Sequence, residues 1–469
     1  MSLGSILSLA RTAILANQSA IEVTGHNIAN AETEGYTRQE LQLVPGPPLQ
    51  TPQGNFGLGV NVRTVSRARD ALLDQNLRTQ LAPSAGYAAR SDVLGSLQQV
   101  FGEPSDTGIA SALDAFWNSW SDLASNPASA GAKSVVQQRA IALTSRISTA
   151  AGQIDTLTAN VRAQVVDTVT QVNRLSHQIG ELNLQIVPAE SGGHTANDLR
   201  DQRDKLIDQL SSLVPVSVID RNDGSDQIML GGRPLVDGSV SHDLTLLPGT
   251  TISVAFAGES EAVNAGSGKL GALMQVANVD IGHARTALDT LASALITDVN
   301  ALHITGWSPP SGAGGNWDPL AGPTGSNIPF FDTAPANANA LNIRLSAQVA
   351  ANADAISVGD ALDAPGNNKV ALQLAALRDF SPTAPGNSFS GAYGVLVSQV
   401  ATTTRAASDS QQVASTLVSQ AADRRDAVSG VNTDEELMRI MRYQQAYAAA
   451  AKVVSAVDDM AQTLLDMKR

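Results

Sequence analysis

After Gly430 the chain contains no further glycine or proline, so nothing in its last segment, "VNTDEELMRIMRYQQAYAAAAKVVSAVDDMAQTLLDMKR", interrupts a helix. Ile440, Tyr443, Tyr447, Ala450, Val454, Val457, Ala461 and Leu464 step by three and four, which places them on one helical face. Thr433 and Glu436 have capping-box spacing, Asp434 and Glu435 occupy the first turn, and Lys468 and Arg469 close the end. All complement a helix dipole. At 1.5 Å per residue, a helix from Thr433 to Arg469 is roughly 55 Å long. The N-terminus carries the counterpart. Leu7, Ile14, Ile21 and Ile28 recur every seven residues, with Leu3, Ala10, Asn17 and Thr24 at the alternate core position. This is either a helix built to pair with another helix or an amphipathic helix docked on its own domain. Asn17 and Thr24 are the polar seam positions expected to set its register. Two long apolar seams, one at each end, must both be covered.

Between them the period changes twice. Residues 56–78 pass from strand-like alternation at Val60, Val62 and Val65 into a helix. Residues 109–124 predict a short helix rich in aromatic bulk (Phe116, Trp117, Trp120). Residues 135–187 hold the longest periodic run: Leu143, Ile147, Ala150, Ile154, Leu157 and Val161, then Val165, Thr168, Val172, Leu175, Ile179, Leu182 and Ile186 after one extra step of four. Such a stutter unwinds a coiled coil locally without ending it. From Pro215 the period is two. "PVSVIDRNDGSDQIMLGG" reads as strand, turn and strand, and "DLTLL" and "TISVAFAG" extend the signal. Helical spacing returns at Leu288, Leu291, Leu295, Val299 and Leu302. Residues 305–340 are rich in Gly, Pro, Asn and Ser and predict a long surface excursion. "ALNIRL" and "AISVG" predict short strands, and residues 366–380 and 391–428 predict helices.

Composition narrows function by exclusion. With 30 Lys and Arg against 44 Asp and Glu, the chain is acidic, which argues against nucleic acid and against anionic membranes. It has no cysteine, hence no disulfide, thiolate metal site or cysteine nucleophile. The first residues lack a basic region and a continuous apolar run, so no cleaved signal is expected, and no run of about 18 apolar residues predicts a membrane span. "DTG" at Asp106–Gly108 has no second copy to make a carboxylate pair, and Asp106 is expected to start a helix. "GSGK" at 266–269 lacks the first glycine of a phosphate loop and has Leu270 where a magnesium-binding hydroxyl belongs, which leaves a glycine turn before a helix. "DRNDGSD" at 220–226 has Gly224 at a calcium-ligand position and is expected to be a hairpin tip. His26, His177, His194, His242, His283 and His303 show no ligand spacing. No catalytic residue, metal or cofactor is assigned.

The stretch "NIANAETEGYTRQ" after the first seam, together with "RYQQAYAAAAKVVSAVDDMAQTLL" in the last, resembles the axial proteins of the bacterial flagellum. Asn27 to Ala31, Thr33, Gly35 and Tyr36 match the pattern near the start of those proteins. Gln445 (or Gln444), Tyr447, Ala451, Lys452, Val453, Asp459 and Met460 match, on or within one position, the pattern near their end. "SGVNTDEE", "FGEPSDTGIASALDAFWNSWSDLASNP" and "NDLRDQRDKLIDQLSSLV" are most similar to the hook-associated protein 1 family within that group. The alternative is another axial protein of hook or rod type. Residues 68–212 favour the first, since they read as helix where hook protein is largely β.

The resemblance implies a non-enzymatic structural component of the hook–filament junction, assembled as a ring on the hook tip. Its implied partners are further copies of itself, hook protein, a second hook-associated junction protein, the flagellar type III export apparatus and a cytoplasmic chaperone at the C-terminal region. It is expected to be exported to the flagellum without a cleaved signal. The expected fold is mainly α, with paired terminal helices forming a coiled coil, a helical-bundle middle domain and a small outer β domain. Residues 1–60 and 426–469 would form the terminal domain. Residues 61–212, 269–304 and 359–425 would form the bundle, and 213–268 and 305–358 the outer module. The expected assembly interface comprises Leu7, Ile14, Ile21, Ile28, Ile440, Tyr443, Tyr447, Val454, Val457 and Leu464. At the motif turn, formed by Asn27, Asn30, Gly35 and Tyr36, Asn30 is expected to end the helix in a left-handed conformation. Gly35 supplies a positive φ and Tyr36 plugs the bend.

Overall fold

In the computed structural model, which describes residues 3–51, 54–193, 195–307, 327–333, 339–361, 364 and 366–467, the chain opens with α1 (Leu3–Ala29). Four strands follow: β1 (Gln39–Pro45), β2 (Leu49–Thr51), β3 (Gly54–Phe56) and β4 (Val60–Arg67). β1 pairs antiparallel with β4, with a register shift between Gln42 and Leu43, and β2 pairs with β3 beyond them. The alternation at Val60–Val65 announced β4. β1 went unforeseen because Leu41 and Leu43 are its main apolar residues and both keep solvent contact.

The body begins with α2 (Ala71–Phe101), capped by Asp70, whose side chain accepts from the Leu72 N–H. α3 (Ile109–Ser125) follows, but Asp106 does not start it as expected. Gly108 holds the cap position, and the Glu103 carboxylate accepts from the Ala110 N–H at 3.1 Å, so the acid at the helix start comes from upstream. α4 (Ala130–Glu190) is one helix of 61 residues. Its apolar stripe is buried on both sides of the step from Val161 to Val165, so the stutter redirects the stripe and leaves the helix intact. α5 (Asn197–Leu213) then packs back on α4 and α2.

The β segment comprises β5 (Val216–Asp220), β6 (Asp226–Leu230), β7 (Arg233–Asp237) and β8 (Val240–Ser241) in one antiparallel sheet in that order. β9 (Leu244–Leu246) and β10 (Val254–Phe256) form a hairpin. Residues 221–225 form the expected hairpin tip, with Gly224 at φ 87°. The sheet lies along α4. Ile228, Leu230, Leu235, Val236, Leu244, Val254 and Phe256 belong to the same buried core as Val172 and Ile179 of that helix. α6 (Lys269–Gln275) starts after the glycine turn and runs through one π-helical turn, Val276–Ile281, into α7 (Gly282–His303).

α8 (Ala347–Ala351), α9 (Lys369–Ala376), α10 (Phe389–Ser429) and α11 (Thr433–Asp466) complete the chain. "ALNIRL" and "AISVG" supply only isolated bridges among the described residues, Phe331 with Leu345 and Trp307 with Gly359. Most of the predicted 305–340 excursion, His194, Lys468 and Arg469 lie outside the described residues. The aromatic face of α3 is buried in the core: Trp117 stacks on Phe389 at 5.4 Å between centroids, and Phe116 and Trp120 meet Phe330. α10 lies antiparallel on α2 with Ala407, Ala414 and Ala421 buried at intervals of seven, a seam of small residues that lets the two backbones approach closely. Among the described residues, this continuous core takes nothing from α1, β1–β4 or α11. The two ends of the chain form a unit of their own.

Candidate assembly surface at the paired termini

α1 and α11 lie side by side. Asn27 near the end of α1 bonds Glu436 in the first turn of α11, so the helices run antiparallel. Ala10, Ala16, Ala20 and Thr24 of α1 and Ala450 and Val457 of α11 are buried. Small residues dominate the contact. Asn17 and Thr24, expected to set the register, spend their side chains on their own helix, donating to the Ala13 and Ala20 carbonyls.

The motif turn is organised around Asn27. Its Nδ2 donates to the Gln39 carbonyl and to Glu436 Oε2, both at 2.9 Å. Its Oδ1 accepts from the Gln39 N–H at 2.9 Å and from the Tyr36 hydroxyl at 2.8 Å. Both amide donors and both acceptor positions are used, which is what a side chain only 1 % exposed requires. Tyr36 turns into the bend toward Asn27 and His26. Its ring sits edge-on to His26 at 5.6 Å, and its oxygen lies 3.0 Å from His26 Nδ1. Burial, with Asp198, Asp201 and Glu436 nearby, pushes the Tyr36 hydroxyl well above the ordinary range and keeps it a donor. Gly35 takes φ 85°. Asn30 does not take the left-handed conformation expected of it. Its Nδ2 instead donates to the His26 carbonyl at 3.0 Å and satisfies the helix end from within.

The start of α11 also differs from expectation. Asn432 is the cap, its Oδ1 accepting from the Asp434 and Glu435 N–H groups, and Thr433 is the first helical residue. Glu436 is therefore free of a capping box. It turns inward to Asn27, with Arg439 3.1 Å from its second oxygen. The buried carboxylate also sits where the helix N-terminus favours negative charge.

The expected interface residues divide by exposure. Val457 is buried in the pair; Ile14, Ile21, Ile28, Ile440, Tyr443 and Val454 are partly buried; Leu7, Tyr447 and Leu464 are exposed. Leu9, Leu15, Leu437, Met438, Met441, Met460 and Leu465 are exposed as well. The pair thus keeps small residues inside and turns large apolar ones outward. That is the reverse of a self-sufficient helical hairpin.

The pair is tied to the body by charge. On α5, Asp198, Asp201, Asp204 and Asp208 step by three, three and four and so share one face. Gln39 Nε2 donates to Asp198 at 3.0 Å and the Thr37 N–H to Asp201 at 3.0 Å. Arg67 of β4 bridges Asp201 at 2.8 Å and Asp204 at 2.7 Å. Arg69 joins Asp204 to Asp74, Arg78 spans Asp204 and Asp208, and Arg425 of α10 reaches Asp208 at 2.6 Å. The opposite face of α5 carries Arg203, buried and held by Asn183, the Gly224 carbonyl and Asp226. Burial pushes its guanidinium down to about 10. The acidic spacing was legible in "NDLRDQRDKLID"; its partners were not, since they lie more than a hundred residues away. Among the described residues, no cluster of three His, Asp or Glu residues could hold a metal, and no helix is long and apolar enough to cross a membrane.

Comparisons with known proteins match three stretches of the chain. Residues 94–316 match the family described as flagellar hook-associated protein FlgK helical domain. Residues 7–37, which are most of α1 and its turn, match flagella basal body rod protein. Residues 425–467 match flagellar basal body rod FlgEFG protein C-terminal. Flagellar hook-associated protein 1 of Bacillus subtilis is 27% identical over 499 residues, covering 97% of this chain and 96% of that protein. The protein of the same name from Salmonella typhimurium is 24% identical over 556 residues, covering 99% and 100%. A solved structure, the flagellar hook junction protein FlgK from Burkholderia pseudomallei, shares 28% identity at a TM-score of 0.46, over 50% of this chain and 44% of that one. The helical-domain match separates the chain from hook and rod proteins, with which it shares its two ends. From end to end, then, this chain is similar to proteins of one name, flagellar hook-associated protein 1.

Proposed function

We propose that this chain is a structural, non-enzymatic part of the bacterial flagellum that forms the hook–filament junction as a ring of identical subunits on the hook tip. The observation that carries this reading is the inverted α1–α11 pair, which faces small residues inward and Leu7, Leu15, Met441, Tyr447 and Leu464 outward. At about 25 cal/mol per Å² of apolar surface, a line of such side chains on each subunit favours close packing of neighbouring pairs into an inner tube. The body, with its separate core, then faces outward. Hook protein below and a second hook-associated junction protein above are the expected neighbours. Export without a cleaved signal through the type III apparatus, with a chaperone on the C-terminal region, suits a chain whose last helix is apolar on its exposed side. Electron microscopy of a strain lacking this protein tests the reading. Completed hooks without filaments are expected; absent hooks would assign the chain to the hook or rod instead.

A further inference from the structure

We propose that Asn27 and Glu436 together form the register lock of the terminal helix pair. The amide and the carboxylate select one axial alignment of α1 against α11 that the alanine-rich seam does not select by itself. This goes beyond the assembly reading and concerns the single chain.

The argument starts from the seam. With Asn27 opposite Glu436, antiparallel counting sets Ala20 against Tyr443, Ala13 against Ala450 and Ile6 against Val457. Sliding α11 by one heptad sets Ala20 against Ala450 and Ala13 against Val457, again small and apolar pairs. Alanines bury little area and interdigitate weakly, so the two alignments differ little in packing. Asn17 and Thr24 do not discriminate either, because their hydrogen bonds stay within α1 whatever lies opposite. Asn27 does. In the observed alignment all four of its hydrogen-bond positions are filled, and Glu436, equally buried, accepts from Asn27 at one oxygen and has the Arg439 charge, without a hydrogen bond, 3.1 Å from the other. One heptad away Asn27 faces Tyr443, and Glu436 is left without its amide donor. A buried polar group deprived of its partner is the established way a helix pair rejects a wrong alignment.

The hub also couples the register to the rest of the unit. The same Asn27 holds the Gln39 backbone at the start of β1 and the Tyr36 hydroxyl in the bend. A slip would move α11 by about 10 Å at 1.5 Å per residue and carry the exposed apolar residues with it. Neighbouring subunits can interlock only if every copy presents the same alignment. Asn27 and Glu436 are accordingly positioning residues.

The absence of cysteine makes the test direct, since introduced pairs meet no native thiol. In the purified full-length chain, Ala13→Cys with Ala450→Cys reports the observed alignment, and Ala20→Cys with Ala450→Cys reports the one-heptad slip. A disulfide needs Cα atoms about 4.4–6.8 Å apart, far less than the slip distance, so each pair reads one alignment. With Asn27 and Glu436 intact, only the first pair is expected to crosslink. With Asn27→Leu and Glu436→Leu both in place, the two pairs are expected to crosslink in comparable yield while helicity by circular dichroism is unchanged. Glu436→Gln, which keeps an acceptor for Asn27 Nδ2, is expected to restore the first pair alone. The proposal is overturned if the first pair remains the only crosslink in the double-leucine chain, if that chain loses the helicity of its ends, if Glu436→Gln slips as the leucine does, or if the intact hub fails to give the first crosslink. All readouts come from the monomer, so they stand or fall separately from the junction assignment.

Discussion

His303 ends α7 inside the aromatic core, fully buried, and the structure specifies its protonation state. Its Nδ1–H donates to the Ile328 carbonyl at 2.7 Å, and its Nε2 accepts from the Ser357 N–H at 2.9 Å, so the ring must be neutral. Burial, with a smaller contribution from the Lys133 charge, pushes the imidazole down to about 4. An unfolded histidine titrates near 6.5. Between these values the unfolded chain takes up a proton that the folded one refuses, so stability rises with pH across that window. The contribution is complete above about pH 6.5 and is lost as pH falls toward 4. At 1.36 kcal/mol per pH unit the full span is about 3 kcal/mol, of which roughly 2.5 is lost by pH 4.5. Urea unfolding of the native chain and of His303→Gln at pH 8 and pH 4.5 measures it. The double difference cancels carboxylates common to both proteins and is expected to be about 2–3 kcal/mol, the native chain falling further. The His303 ring proton signals, followed by NMR, should stay constant from pH 8 to 5. Equal pH slopes in the two proteins, or a His303 that titrates near 6.5, would refute the reasoning.

Gly268 sits at φ 108°, where an added Cβ would meet the Leu213 carbonyl at 2.8 Å, so Gly268→Ala should cost at least about 1–3 kcal/mol in urea unfolding. Gly95, in α2 with open space around it, is the control: Gly95→Ala should stabilise by about 0.5–1 kcal/mol. Arg67→Met strips Asp201 and Asp204 of their shared partner, at a cost of about 2–4 kcal/mol, and it acts on a polar joint outside the core. Amide exchange in β1 and β4 should quicken by at least roughly tenfold while α3 stays protected; equal loosening of α3 would show that the ends and the body unfold as one. Leu7→Asp and Leu464→Asp change residues already exposed in the single chain, so the monomer's melting point should stay within about 2 °C while filament attachment in a complemented strain fails. Normal filaments on either variant would remove these positions from the assembly surface.

Periodicity is a local property, and it determined much of this protein unaided. The 61-residue α4 with its stutter, the hairpin tip at Gly224, the glycine turn before α6 and the long α10 and α11 follow from the spacing of apolar residues and the placement of glycines. The paired motifs at the two ends carried the family resemblance. What the sequence left open was partnership. A heptad seam announces an apolar face without saying which side of it meets which helix. Only the folded chain shows that α1 and α11 close on their alanines and leave Leu7, Tyr447 and Leu464 outside. Glu436 had the spacing of a capping box, yet it is drawn inward because Asn432 already caps the helix and Asn27 offers a buried donor. The β segment read as an outer insertion, while its Ile228, Val236 and Phe256 complete the core along α4, a contact that no local pattern encodes. The same holds for the aspartates of α5, whose spacing is visible and whose arginines are not. In each case the deciding energy is a contact across a long stretch of chain. For Asn27 and Glu436 that separation is 409 residues, and nothing in the sequence around either marks the other.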